Sequence, residues 1–149
     1  MEILSANLFD LGPLRRIEQA CFSTDAWPLL DLIAVLSYPD VIRLKAVEAE
    51  QMVGFVAGDM RRNEGVGWIA TIGVLPEYRR LGIARSLLLE CERQMQLPVV
   101  RLCVRPDNEG AIHLYEVEGY RSIETWKKYY TDGGDAQVME KFIPGWNQI

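Results

Sequence analysis

The sequence predicts one α/β domain, a mostly antiparallel sheet interrupted by a single parallel strand–helix–strand crossover. Three observations predict it. An apolar, β-branched run over residues 69–74 is followed by a short basic loop, an amphipathic segment and a second β-rich run over 99–104. Segments of strand character joined by short polar turns lie on both sides of that unit. The chain has 149 residues and is 49% hydrophobic, enough for one core and too short for two ordinary domains, so 1–149 is read as one unit.

In chain order, residues 2–6 read as a short first strand. Asp10 is placed to cap a helix with Pro13 in its first turn and Leu14, Ile17 and Cys21 on its buried face. Residues 22–28 break the chain, and a second helix covers about 29–36, stopping near Pro39. Residues 41–47 and 52–60 form strands joined at 48–50, and Asn63, Glu64 and Gly65 turn the chain into the strand 68–74. Ala84, Leu87, Leu88, Cys91 and Met95 recur at i, i+3, i+4, i+7 and i+11, one face of a helix. After Pro98 comes the strand 99–104; Asp107 or Asn108 then caps a helix that ends at Gly119. Residues 120–130 and 136–143 close the chain as a hairpin around 131–135. The count is seven strands and about four helices. The crossover joins parallel strands with a right-handed connection, and in such sheets a ligand sits at the carboxyl ends of those strands.

That end carries Arg79, Arg80, Gly82, Ala84 and Arg85 at the start of a helix. A helix start exposes unpaired N–H groups and the positive end of the helix dipole. The small residues at 82 and 84 let a phosphate approach the backbone, and three arginines add charge. The stretch reads as a pyrophosphate cradle, against the plainer reading of a basic turn before an amphipathic helix. Other phosphate motifs fail: there is no Gly-x-x-x-x-Gly-Lys, and the glycines at 65 and 67 lead into a strand where a dinucleotide fingerprint must open a helix.

Composition excludes several classes. The net charge of −5 argues against nucleic acid or an anionic membrane as partner, and makes the local basic loop more informative. No basic leader or apolar run of spanning length is seen, so neither a signal peptide nor a membrane segment is expected. Cys21, Cys91 and Cys103 are odd in number and far apart, which fits reduced thiols in a cytoplasmic protein. With one histidine, His113, no metal-ligand spacing exists and no metal is expected. No Gly-x-Ser-x-Gly elbow supports a serine hydrolase. His113 lies two residues from Tyr115 on a helix, so the two point to opposite sides and His113 is read as surface.

The second telling stretch is Asn108-x-x-Ala111-x-x-Leu114-Tyr115-x-x-x-Gly119-Tyr120. Together with Val74-x-Pro76-x-Tyr78-Arg79-Arg80-x-Gly82-x-Ala84 and the order of elements, it resembles the GNAT superfamily of acetyl-CoA-dependent N-acetyltransferases over nearly the whole chain. Within that superfamily, Phe22 followed by Trp27, Leu102-x-Val104-Arg105, and Tyr129-Tyr130 before an Asp-containing turn look like the RimI-like branch, which acetylates the N-terminal alanine of a ribosomal protein. The resemblance implies acetyl-CoA as cosubstrate. It implies that the backbone of Ile72, Gly73 and Val74 bonds the pantetheine arm between two splayed parallel strands. Arg80, Leu81, Gly82, Ile83, Ala84 and Arg85 would wrap the pyrophosphate, with Arg79 beside them. Asn108 would hold the far end of the pantetheine arm, and Tyr115 would donate to the departing sulfur. Trp27, Tyr129 and Tyr130 would line the acceptor groove with the second helix.

One position departs from that branch: Cys103 stands where it usually has a glutamate as general base. No other carboxylate lies on the adjacent strand 68–74. Cys103 is either inert packing or a covalent acetyl carrier. The expected activity is acetyl transfer to a primary amine, the α-amine of a protein or peptide, by a monomer or homodimer. The alternatives are a small amine as acceptor in the same fold, or a degenerate acyl-CoA-binding module.

Overall fold

The computed structural model of the chain describes residues 1–22, 25–143 and 145. Of the expected chain break at 22–28, Ser23 and Thr24 lie outside the described residues. The elements are β1 (Glu2–Ser5), α1 (Leu11–Cys21), α2 (Leu29–Ser37), β2 (Val41–Glu48), β3 (Gln51–Arg61), β4 (Val66–Val74), α3 (Ile83–Met95), β5 (Val99–Val104), α4 (Glu109–Val117), β6 (Arg121–Trp126) and β7 (Ala136–Phe142). They form one seven-stranded sheet in the order β1-β2-β3-β4-β5-β7-β6, in which only β4 and β5 are parallel. The expected mixed, mostly antiparallel sheet with one parallel crossover and four helices is the observed fold.

Helices lie on both faces of the sheet. Met95 of α3 approaches so closely that a Cβ at position 58 or 67 would stand 2.7 or 2.6 Å from its Sδ. Leu87, Leu88, Cys91 and Met95 of the predicted stripe are fully buried there, while Ala84, which begins it, is half-buried. α1 packs on the opposite face through Leu14 and Ile17, both essentially inaccessible. A polar cluster locks the far side: Glu92 of α3 accepts from Tyr120 Oη at 2.6 Å and from Lys141 Nζ at 2.8 Å, all three buried.

The register between β3 and β4 positions the site. Ala57 pairs with Thr71 but its neighbour Gly58 pairs with Ile69, so Ala70 is an extra residue on β4, a β-bulge. A bulge bends its strand and sharpens the local twist. The parallel pairing of β4 with β5 ends at this point, at Ile69 and Leu102, while β4 continues to Val74. The last turns of the two strands therefore diverge, leaving one edge of β4 without a strand partner. The extra residue also resets the face. Gly67 faces α3, so Trp68 faces α1; after the bulge Thr71 also faces α1, where it bonds Glu18.

Two expectations are corrected. Asp10 does not cap α1 through its side chain; it closes a capping box with Asn7 around the preceding 3-10 turn and accepts from Lys45 Nζ at 2.9 Å. The sixth strand does not run to residue 130 but stops at Trp126, because Lys128 takes φ 51° and its N–H donates to Asp135. Tyr129 and Tyr130 thus lie in the β6–β7 connection. Asn108, rather than Asp107, caps α4.

Candidate active site

The site starts where β4 and β5 part. A small cleft of about 150 Å³ lies between them, lined by residues of both strand ends together with Asn108 and Tyr115. It shares Asp25, Trp27, Cys103 and Tyr130 with a larger groove of about 1070 Å³, which runs under α2 and over β3, β4 and the β6–β7 connection. Ile69 and Ala70, at the bulge, line both spaces as well.

Beyond the end of β4 the chain turns through Arg80 (φ 64°) and Gly82 (φ 81°) into α3. No side chain caps this helix; its first internal bond is Ser86 N–H to Gly82 O. The N–H groups of Ile83, Ala84 and Arg85 therefore have no intrahelical acceptor. A Cβ at 82 would meet nothing within 4 Å, so the backbone angle rather than crowding favours glycine there. The three arginines differ. Arg79 Nε donates to Val74 O at 3.1 Å, and the Cys21 thiol donates to the same carbonyl at 3.2 Å. Arg85 pairs with Glu118 of the α4 end at 2.7 Å. Arg80 makes no ion pair among the described residues. Leu81 is exposed.

Along β4, Val74, Gly73 and Ile72 pair with Gly54, Phe55 and Val56 of β3 on one side only. Asn108 Oδ1 accepts from Ala111 N–H at 3.2 Å, leaving its amide N–H₂ as donor. Tyr115 is buried, 7% exposed, with its ring 5.8 Å from that of Tyr120 in an edge contact. Burial first, then the Tyr130 hydroxyl, push the Tyr115 phenol up to about 12. It is a proton-bearing donor throughout the neutral range. Cys103 is half-buried beside the Tyr129 hydroxyl, and burial pushes its thiol up.

Sequence reasoning missed a latch and a buried acid. Arg105 forms two parallel 2.7 Å bonds to Asp25 of the α1–α2 connection, reaches Asp132 at 3.1 Å and lies 4.2 Å over the Tyr130 ring. Its guanidinium is held firmly charged by Asp25. A Cβ at 134 would stand 2.4 Å from Arg105 Nη1, so the guanidinium would have to shift to accommodate any side chain there. The latch ties together three chain connections around the cleft. Glu18, 2% exposed on α1, accepts from Thr71 Oγ1 at 2.7 Å and from Trp27 N–H at 3.2 Å. Burial raises its carboxyl above the ordinary value, partly offset by those two bonds. It stood in the sequence at the i+4 place of the stripe begun by Leu14, a carboxylate among apolar neighbours. That was the available signal. Of the acceptor residues, Trp27 and Tyr130 border both spaces, and Tyr129, 51% exposed, borders the larger one. His113 is exposed, as expected. No group of three or more His, Cys, Asp or Glu side chains able to hold a metal ion occurs among the described residues, and none of the described helices is long and apolar enough to cross a membrane.

A sheet splayed at a β4 bulge, with an uncapped helix start beyond it, defines an acyltransferase of the GNAT type. The chain belongs to the acetyltransferase (GNAT) family, whose model matches residues 11–120. It is 31% identical to the N-terminal acetyltransferase A complex catalytic subunit NAA10 of Arabidopsis thaliana over 96% of this chain and 78% of that protein. Its fold superposes on the ribosomal-protein-S18-alanine N-acetyltransferase of Escherichia coli with a TM-score of 0.87, at 25% identity over 99% of this chain and 96% of the other. Against Arabidopsis thaliana NAA60 in complex with acetyl-CoA the TM-score is 0.84 at 23% identity, over 97% and 99% of the two chains, a likeness of fold.

Proposed function

We propose that this enzyme transfers the acetyl group of acetyl-CoA to the N-terminal α-amine of a protein or peptide. The observation that carries the reading is the adjacency of the two spaces: a narrow cleft beside a free β4 edge shares a wall, Cys103 included, with a much larger groove. The groove, at about 1070 Å³, is larger than most pockets for compact small amines and has room for several residues of a peptide. N-terminal acetyltransferases among its relatives support the same acceptor class.

The cleft fits acetyl-CoA on its own features. The edge of β4 at Ile72, Gly73 and Val74, which has no strand partner, offers backbone groups to the pantetheine arm, apart from the Val74 carbonyl already taken by Arg79 and Cys21, and the Asn108 amide gives a further donor at its far end. The uncapped N–H groups of Ile83, Ala84 and Arg85, with Arg80, Leu81 and Gly82 as the approach, suit a pyrophosphate. Arg79 holds the end of β4 in place for that approach. Acetyl-CoA supplies a thioester; the amine nitrogen bonds to its carbonyl carbon, the C–S bond breaks and the thiolate leaves.

Tyr115 donates a hydrogen bond to the sulfur as its charge develops. With the phenol at about 12 and a reference thiol near 8.5, complete proton transfer lies about 3.5 units uphill, ~5 kcal/mol, so the proton stays on the phenol. Cys103, its thiol pushed up, is packing at the junction rather than a base. An α-amine needs little help: its pKa near 7.7–8.0 leaves roughly 10% neutral at pH 7, against ~0.04% for lysine at about 10.4. Water in the open groove takes the remaining proton. The three unpaired thiols support a reducing compartment, the cytoplasm.

The test uses matched peptides with either the α-amine or a lysine side chain blocked, with kcat/KM measured from pH 6 to 10. The free α-amine should be acetylated faster at pH 7, its rate rising once near its own pKa. Cys103→Ala should retain activity within about tenfold. Faster lysine acetylation at pH 7, or total loss of turnover in Cys103→Ala, would overturn this chemistry.

A further inference from the structure

The far wall of the acceptor groove points to what the peptide carries there. Gly58 and Gly67 face α3, so their neighbours Asp59 and Trp68 face the groove, and these two are paired across β3 and β4. Trp126 of β6 brings its ring to 5.7 Å from that of Trp68 at 33°, and Tyr129 stands 5.5 Å from Trp126. The Trp126 indole N–H donates to the Glu124 carboxylate, which fixes the ring. Asp31 lies on the α2 side with no side-chain hydrogen bond or ion pair among the described residues, and Asp59 has only a 3.4 Å contact from Arg61. The groove wall thus holds three carboxylates, Asp25, Asp31 and Asp59, against one guanidinium, Arg61. Asp25 is committed to Arg105, so Asp31 and Asp59 are the carboxylates available to a ligand.

We infer that the groove selects acceptor peptides with lysine or arginine at the second, third or fourth residue. The side-chain cation lies between the Trp68–Trp126 pair and the Asp59 carboxylate. Aromatic faces attract cations and carboxylates pair with them, and a wall offering both discriminates against an apolar side chain of equal length. The reach agrees. Trp68 pairs with Arg101, two residues before Cys103 on β5. With a strand rise of ~3.3 Å per residue and strands ~4.8 Å apart, the backbone at Asp59 lies roughly 12 Å from that at Cys103. An extended peptide advances roughly 3.5 Å per residue. The backbone of residue two, three or four then stands within about 7 Å of Asp59, the span of a lysine or arginine side chain; residue one stops short of it and residue eight lies well past it.

The inference rests on the proposed α-amine acceptor, and two separate readouts keep them apart. One series of peptides carries lysine, arginine, norleucine or glutamate at position two, three, four or eight. Transfer is followed by kcat/KM, and binding by fluorescence polarisation of the same peptides already acetylated at the N-terminus, which requires no chemistry. Lysine or arginine at two, three or four should exceed norleucine by ~10-fold in both readouts, glutamate should fall below norleucine, and position eight should show no preference. The lysine-to-norleucine ratio should shrink in 300 mM salt and in Asp59→Asn, and grow in Arg61→Gln. Trp126→Leu should lower it as well, with a thermal melt to establish that the variant folds. Equal or better binding of norleucine overturns the inference, as does a cation preference unchanged in Asp59→Asn. Preferential binding of the lysine peptides with no transfer to any α-amine leaves the cation site standing and sinks the acceptor assignment.

Discussion

The cleft between β4 and β5 and the groove that opens from it are built by different means. The cleft presents backbone: a strand edge without a partner at Ile72–Val74 and a helix start without a cap at Gly82. The groove presents side chains from β3, β4, β6, α2 and two connections, held by a charged latch. The difference teaches where tolerance lies. Backbone groups cannot be altered by substitution except through φ or bulk, so one small-to-large change in the cleft should be severe. The groove spreads its contacts over many side chains, so single changes there should be graded and should alter selectivity.

The sharpest test of the contrast is Gly82→Glu. It forces a side chain onto a residue at φ 81° and places a carboxylate at the exposed N–H groups of α3. Acetyl-CoA affinity measured by calorimetry should fall ~100-fold or more; unchanged affinity would remove the helix start from the cofactor site. Next is Tyr115→Phe, which leaves the cleft walls in place and removes only the donor. Turnover should fall ~10²-fold with acetyl-CoA affinity within threefold, the pattern of a group acting in the transition state. A change of only a few-fold would reduce Tyr115 to packing against Tyr120.

On the groove side the expected effects are smaller. Arg105→Lys keeps the charge but loses the planar fork that grips Asp25. The peptide KM should rise ~10-fold while acetyl-CoA affinity changes less than threefold; equal losses for both ligands would show that the latch serves the whole cleft. The smallest effect concerns Glu18. Its carboxyl is raised in the folded chain, so the folded state holds the proton more tightly than the unfolded one. Stability is then highest below the unfolded value of about 4.5 and declines as pH rises through the folded value. Glu18→Gln mimics the neutral form, so its Tm relative to wild type should climb by a few degrees between pH 4 and pH 8. A relative Tm that falls over that range would mean the charged carboxylate, with its bonds from Thr71 and Trp27, is the favoured state.

Much of the cleft was legible in the sequence because its signals are local. The stripe at Leu87, Leu88, Cys91 and Met95, the small residues at 82 and 84, and the Asn108 cap each lie within a few residues of the groups they serve. The order of elements followed, and with it the parallel crossover. The end of β6 was overshot because Tyr129 and Tyr130 have strand propensity, whereas the stop comes from Asp135, which reaches back to the Lys128 N–H.

The sequence by itself determined which segments are strands and helices, where the one crossover falls and which residues open α3. The tertiary structure alone decided the Ala70 bulge, since a bulge is a register between two strands and leaves no period in either one. It alone decided that Asp25, Arg105 and Asp132 meet, because residues 80 and 27 positions apart are joined only after β5 and the β6–β7 connection have found each other. It also placed Glu18 inside. Desolvating a carboxylate is costly, so a lone glutamate is expected at the surface until the structure supplies the Thr71 hydroxyl and the Trp27 N–H that satisfy it.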